Sequence, residues 1–84
     1  MKFVIAGNHE QFNLYIRKLR ELIAPLILNT EDYVYITEPS WVLGRYCNEI
    51  IKVGTWYARK NIKEILEICR CALIVGGKER EEDI

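Results

Sequence analysis

Lys2-Phe3-Val4-Ile5-Ala6 is apolar at four consecutive positions, with Phe3 and Ile5 on one face of an extended chain and Val4 and Ala6 on the other. A strand apolar on both faces is one covered on both sides, so the pattern predicts the central strand of a sheet sandwiched between helices. The run breaks at Gly7 and the period then changes to that of a helix. Phe12, Tyr15, Ile16, Leu19, Leu22 and Ile23 fall on one continuous stripe. Asn8 is a good N-cap, and Gln11 three residues on completes a variant of the capping box, so the helix is expected to start directly after the glycine. Pro25 stops it or closely follows its end. Leu26-Ile27-Leu28 carries the apolar character on, and Asn29-Thr30-Glu31-Asp32 reads as a turn.

Tyr33-Val34-Tyr35-Ile36-Thr37 alternates aromatic and β-branched residues, a second strand. Glu38-Pro39-Ser40 ends it, with Ser40 placed to cap a short helical turn through Trp41, Val42 and Leu43. Glu49 to Trp56 reads as a third strand, weakened on one face by Lys52 and Gly54. Asn61, with Glu64 at the capping-box position, opens a last helix whose stripe is Ile62, Ile65, Leu66, Cys69, Ala72 and Leu73. Gly76-Gly77 is expected to terminate it, leaving Lys78 to Ile84 as a frayed, charged tail. The predicted architecture is α/β: a small three-stranded parallel sheet of order 2-1-3, strand 1 central and strands 2 and 3 at the edges, with two main helices. That is a reduced, Rossmann-like doubly wound unit with right-handed crossovers. Residues 1–77 form a single α/β domain and 78–84 the tail. So small a sheet leaves a face incompletely covered, and a homodimer is expected.

Composition narrows the class. Eighty-four residues, half of them hydrophobic, suffice for one modest core and not for two. No apolar run reaches the roughly 18–20 residues of a membrane span, and no secretory leader pattern opens the chain, so a cytoplasmic setting is expected. Twelve basic residues balance twelve acidic ones. Such a balance disfavours a dedicated nucleic-acid binder. Arg17, Lys18 and Arg20, with Arg59, Lys60 and Lys63, form a basic patch only if the fold gathers them; otherwise they are solvated helix faces. Cys47, Cys69 and Cys71 are an odd number without secretory context and are expected as reduced thiols, filling core space rather than binding metal.

Candidate chemistry centres on the carboxyl ends of strands 1 and 3, the topological switch point of a 2-1-3 sheet. Gly7, Asn8 and His9 line one side of that crevice and Thr55, Trp56 and Tyr57 the other, with Arg45 or Arg59 adding charge. The N–H groups of the first helix favour an anion there, and Trp56 or Tyr57 offers a ring for stacking. The competing reading is that Trp56 and Tyr57 cap the core or fill a dimer contact. Neither a GxGxxG turn nor a lysine-bearing P-loop is present. Gly7-Asn8-His9-Glu10 resembles the GNHE block of calcineurin-like metallophosphoesterases, whose Asn and His serve a two-metal centre. Such a centre gathers several Asp and His ligands, whereas His9 is the sole histidine and Asp32 and Asp83 the sole aspartates. The match is read as incidental. No metal, cofactor or catalytic residue is assigned.

The segments FVIAGN, YVYITEP followed by LGRY, and IIKVGTWYARKNI are similar to small bacteriophage-encoded proteins with the same strand, aromatic strand and V-G-T-W order. The resemblance implies a viral origin, a host cytoplasm, a Rossmann-like fold and no established activity. Tyr33, Tyr35, Trp41, Tyr46, Trp56 and Tyr57 exceed what so small a core buries, and such aromatics are enriched at interfaces. The expected function is therefore non-enzymatic, through association with a protein partner or with itself. Binding of a nucleotide or phosphorylated ligand in the switch-point crevice is the alternative, and weak nucleic-acid binding a third.

Overall fold

The computed structural model describes residues 1–23 and 29–84. The expectations placed on Pro25 and on Leu26-Ile27-Leu28 lie outside the described residues. Strand β1 (Lys2–Ala6) leads into helix α1 (His9–Leu22), and a 3₁₀ turn (Thr30–Asp32) precedes the short strand β2 (Tyr33–Tyr35). A second 3₁₀ turn (Pro39–Val42) leads to β3 (Cys47–Val53). A third (Trp56–Ala58) leads to helix α2 (Ile62–Ala72), which passes directly into β4 (Leu73–Glu82).

All pairings are parallel, in the order β2-β1-β3-β4. The α/β class and the 2-1-3 core of the sheet are as the sequence pattern predicts, but the sheet has four strands, not three. Strand β3 is therefore an interior strand rather than an edge. It also begins two residues earlier than expected and stops at Val53, where Gly54 takes a positive φ of 57°.

The fourth strand is built from what reads as a helix end and a tail. Helix α2 stops at Ala72, because Leu73 is already extended (ψ 126°) and Ile74-Val75 is a β-branched pair better suited to strand than to helix. Gly76-Gly77 does not cap the helix. It belongs to an irregularity in which the partner of Cys47 is Leu73 but the partner of Glu49 is already Lys78. Gly76 takes a φ of 84° in that bulge. Residues 78–82 then run in register along β3 to Val53↔Glu82, so they belong to the sheet.

The alternation along β1 divides the core. Phe3 and Ile5 join Ile50, Ile36 and Val42 with Ile65, Cys69 and Ala72 of α2. Val4 and Ala6 join Ile51 and Val53 with Tyr15 and Ile16 of α1. The two helices therefore cover opposite faces of the sheet, and all four apolar residues of β1 are fully buried. Phe12 and Leu19 border the α1 core, and Ile62 and Leu66 the α2 core, so the predicted stripes face the sheet except at the end of α1, where Leu22, expected in the stripe, is 73% exposed.

Candidate functional site

At the carboxyl end of β1 the chain turns through Gly7 into α1, and the capping box forms in modified shape. Asn8 Oδ1 accepts a hydrogen bond from the Gln11 N–H (2.9 Å). Gln11 Oε1 reaches back to accept from the Gly7 N–H (2.9 Å), one residue before the usual target, and also from the Thr55 N–H (3.1 Å). Gln11 Nε2 donates to Thr55 Oγ1 (2.9 Å). One amide thus bolts the β1 turn to the β3 turn. A Cβ on Gly7 would stand 2.1 Å from Thr55 Oγ1, and one on Gly54 2.7 Å from Gln11 Oε1, so the missing side chains make room for this plug.

The expected switch-point crevice is therefore occupied by Gln11 and Thr55. Gly7, Asn8 and Thr55 do meet there, but as partners in a latch. His9 is exposed in the first turn of α1, its ring 5.5 Å from that of Tyr35, which stacks on Phe12 at 4.8 Å. Trp56 packs against the α2 core with Lys52 Nζ 4.7 Å from its ring, and Tyr57 crosses it edge-on at 5.8 Å while facing solvent. Arg45 lies just before β3, at the amino end of the sheet, and cannot join the others.

Arg59 does come to the carboxyl end, on the β2 side rather than the β3 side. Its Nη1 donates to the Ala6 carbonyl (3.2 Å) and to the Tyr35 hydroxyl (2.9 Å). The basic residues split: Arg17, Lys18 and Arg20 ride on α1 and Arg59, Lys60 and Lys63 lie in and before α2, with the sheet between. Two thiols are core residues as expected. Burial pushes Cys47 up and Cys69 up to about 12, far from the thiolate range that nucleophilic chemistry needs. Cys71 is exposed. Among the described residues no three His, Cys, Asp or Glu groups gather closely enough to hold a metal ion, and no helix is long and apolar enough to cross a membrane.

The most distinctive surface lies at the opposite end. Leu43 and Tyr46, in the segment entering β3, are 70% and 73% exposed, and Trp41 is exposed beside them in sequence. Ile74 and Val75, on the β4 bulge, are also exposed, Val75 completely. The pairing Cys47↔Leu73 brings these two segments together. A hollow of about 180 Å³ between the 42–46 segment and the end of α2 is lined by Val42, Leu43, Gly44, Arg45, Tyr46, Ile68, Cys71 and Ala72. Sequence reasoning singled out Trp41 and Tyr46 as surplus aromatics but missed Ile74 and Val75, because it placed them inside a helix. The available signal was the β-branched pair followed by two glycines. No family model matches the chain, and no match is found among curated proteins or solved structures.

Proposed function

We propose that the chain acts without catalysis, as a protein-interaction module that associates through the apolar surface at the amino end of its sheet, with a second copy of itself as the partner. The observation that carries the reading is a projection beside a recess: fully exposed Val75 stands three residues beyond Ala72, which lines the 180 Å³ hollow. A twofold axis through such a patch seats each Val75 in the other copy's hollow, the self-complementarity an isologous dimer requires. Contiguous exposed apolar surface of this kind marks association sites. Strand order 2-1-3 with helices on both faces supports a Rossmann-like scaffold for this surface.

The other route to self-association, pairing along the open edge of β4, is disfavoured by charge. In an antiparallel pair about a twofold axis, facing residues lie on the same side of the sheet, so their numbers sum to an even value. The central registers then set Arg80 against Arg80 with Glu79 against Glu81, or Glu79 against Glu79 with Lys78 against Arg80. Like charges directly opposite are destabilising.

Analytical ultracentrifugation across a concentration series tests the proposal. A monomer–dimer equilibrium is expected. Val75→Asp should weaken it on the order of a hundredfold or more, since each dimer buries two Val75 side chains at about 1.5–3 kcal/mol each. A strictly monomeric protein at high concentration, or a dimer indifferent to Val75→Asp and to Tyr46→Ser, would overturn it.

A further inference from the structure

We infer that the carboxyl end of the sheet binds a small phosphorylated, hydroxyl-bearing compound, between β2 and the start of α2 rather than in the crevice that Gln11 fills. A hollow of about 440 Å³ opens there, lined by Gly7, Thr37, Glu38, Arg59, Lys60 and Asn61 among others. This is within the size of ordinary small-ligand sites, and it stands where ligands of open parallel sheets bind, beyond the carboxyl ends of the strands.

Three groups favour a phosphate. Arg59 is held by one corner: Nη1 is committed to the Ala6 carbonyl and the Tyr35 hydroxyl, and Cζ lies 5.3 Å from the Tyr35 ring centroid. Its Nε has no hydrogen-bond partner among the described residues and is shielded from solvent, so it can reach a ligand only when the guanidinium swings toward the hollow. A guanidinium anchored on one side is the donor that suits a phosphate oxygen pair. Lys60, exposed on the rim, adds a second cation. The third group is the start of α2. Asn61 occupies its N-cap position in the left-handed region (φ 63°, ψ 27°), and its side chain makes no capping bond, so no side chain of the cap residue occupies the first N–H groups of an 11-residue helix. Donors that converge from a fork, a point charge and a helix end suit a tetrahedral dianion better than a planar carboxylate.

The remaining lining chooses the rest of the ligand. Glu38 opposes a bare anion and accepts hydrogen bonds, as does the Thr37 hydroxyl, so the part of the ligand facing them carries donors. No aromatic ring is among the lining residues, for Trp56 is turned into the α2 core. The recognised chemistry is a phosphomonoester of a polyol, a sugar phosphate, rather than a nucleobase.

The test is an amide-shift titration of the full-length ¹⁵N-labelled protein with ribose 5-phosphate, ribose and inorganic phosphate as probes. Ribose 5-phosphate is expected to move the amides of Gly7, Lys60, Asn61 and Ile62, and to bind at least about tenfold more tightly than either fragment. Lys60→Glu, at an exposed position, should weaken binding about tenfold or more while leaving the unfolding midpoint unchanged. Glu38→Gln should retain phosphate binding and erase the advantage of the sugar phosphate. Absence of shifts, shifts centred on Arg17 and Arg20, or unchanged affinity in Lys60→Glu would overturn the site. Equal affinity for inorganic phosphate and ribose 5-phosphate would overturn the hydroxyl-bearing ligand.

Discussion

Gln11 serves both the helix that carries it and a turn 44 residues away. Its capping role was legible from Asn8-x-x-Gln11, because capping is local and depends on spacing alone. Its bond to Thr55 was not, because no local rule says which strand end lies beside β1. The same bond explains why the expected crevice is shut. Gln11→Ala should cost about 1–2 kcal/mol in urea unfolding, the worth of a few exposed hydrogen bonds. Gly7→Ala should cost more, about 2–3 kcal/mol, since the new Cβ meets Thr55 Oγ1 at 2.1 Å and the Thr55 carbonyl at 2.9 Å. Adding Thr55→Ala should recover only part of that loss, as the backbone clash persists. Full recovery would show that the turn relaxes freely and that the latch is incidental.

Among the elements, β4 departs furthest from the pattern of hydrophobic positions. A strand reading Lys-Glu-Arg-Glu-Glu has no apolar alternation, so a sequence argument that looks for buried faces treats it as solvent-exposed. What holds it is the ladder to β3 and a set of ion pairs across it. Glu79 accepts from Lys52 (2.9 Å) and, bidentately, from Arg70 of α2 (2.8 and 2.9 Å). Arg80 pairs with Glu49 and Glu82 and donates to the Tyr15 hydroxyl on the other face (2.9 Å). The sheet had to be assembled before Glu49 and Lys52 became visible as partners, whereas β1 and both helices were legible because their patterns are complete in themselves.

The Arg70 hydrogen bonds, with Lys52 behind them, hold the Glu79 carboxyl down to about 2, below its ordinary 4.5. A depressed carboxylate stabilises the fold above its unfolded value and loses that contribution as pH falls. Wild-type stability should therefore decline between about pH 4.5 and 2 by on the order of 1–3 kcal/mol, discounted for the half-exposed Arg70. Glu79→Gln should already be weaker at neutral pH and show a flatter acid limb in chemical denaturation. Identical acid profiles for the two proteins would remove Glu79 as a clasp. Removal of residues 78–84 bares the edge of β3, including the backbone of fully buried Ile50 and Ile51. The truncated chain should unfold at a markedly lower temperature, and alternate amides along 79–82, those pointing to β3, should be protected from hydrogen exchange in the longer chain while those on the open edge exchange freely.

For the whole molecule, the two ends of the parallel sheet differ in kind. The amino end carries the exposed apolar patch of the proposed dimer contact, beside Arg45 and the Met1–Asp32–Lys2 ion pairs. The carboxyl end is polar, with one cleft closed by Gln11 and its neighbour open beside Arg59. Because every strand runs the same way, the two surfaces lie at opposite ends of the molecule, and Val75→Asp should leave a ligand titration at Lys60 unchanged. The expected homodimer and the proposed ligand site are thus separable by single substitutions.

The placement of the three thiols turns the chain into its own reporter. Cys47 and Cys69 are buried in the α2 core, out of reach of an alkylating agent in the native state, and burial raises both thiols; Cys71 is exposed and lines the hollow that the second copy would fill. Under iodoacetamide, intact-mass spectra should gain one adduct quickly and two more only as fast as molecules open globally. The first adduct should slow as protein concentration rises, timing subunit exchange, while the later two keep time on unfolding.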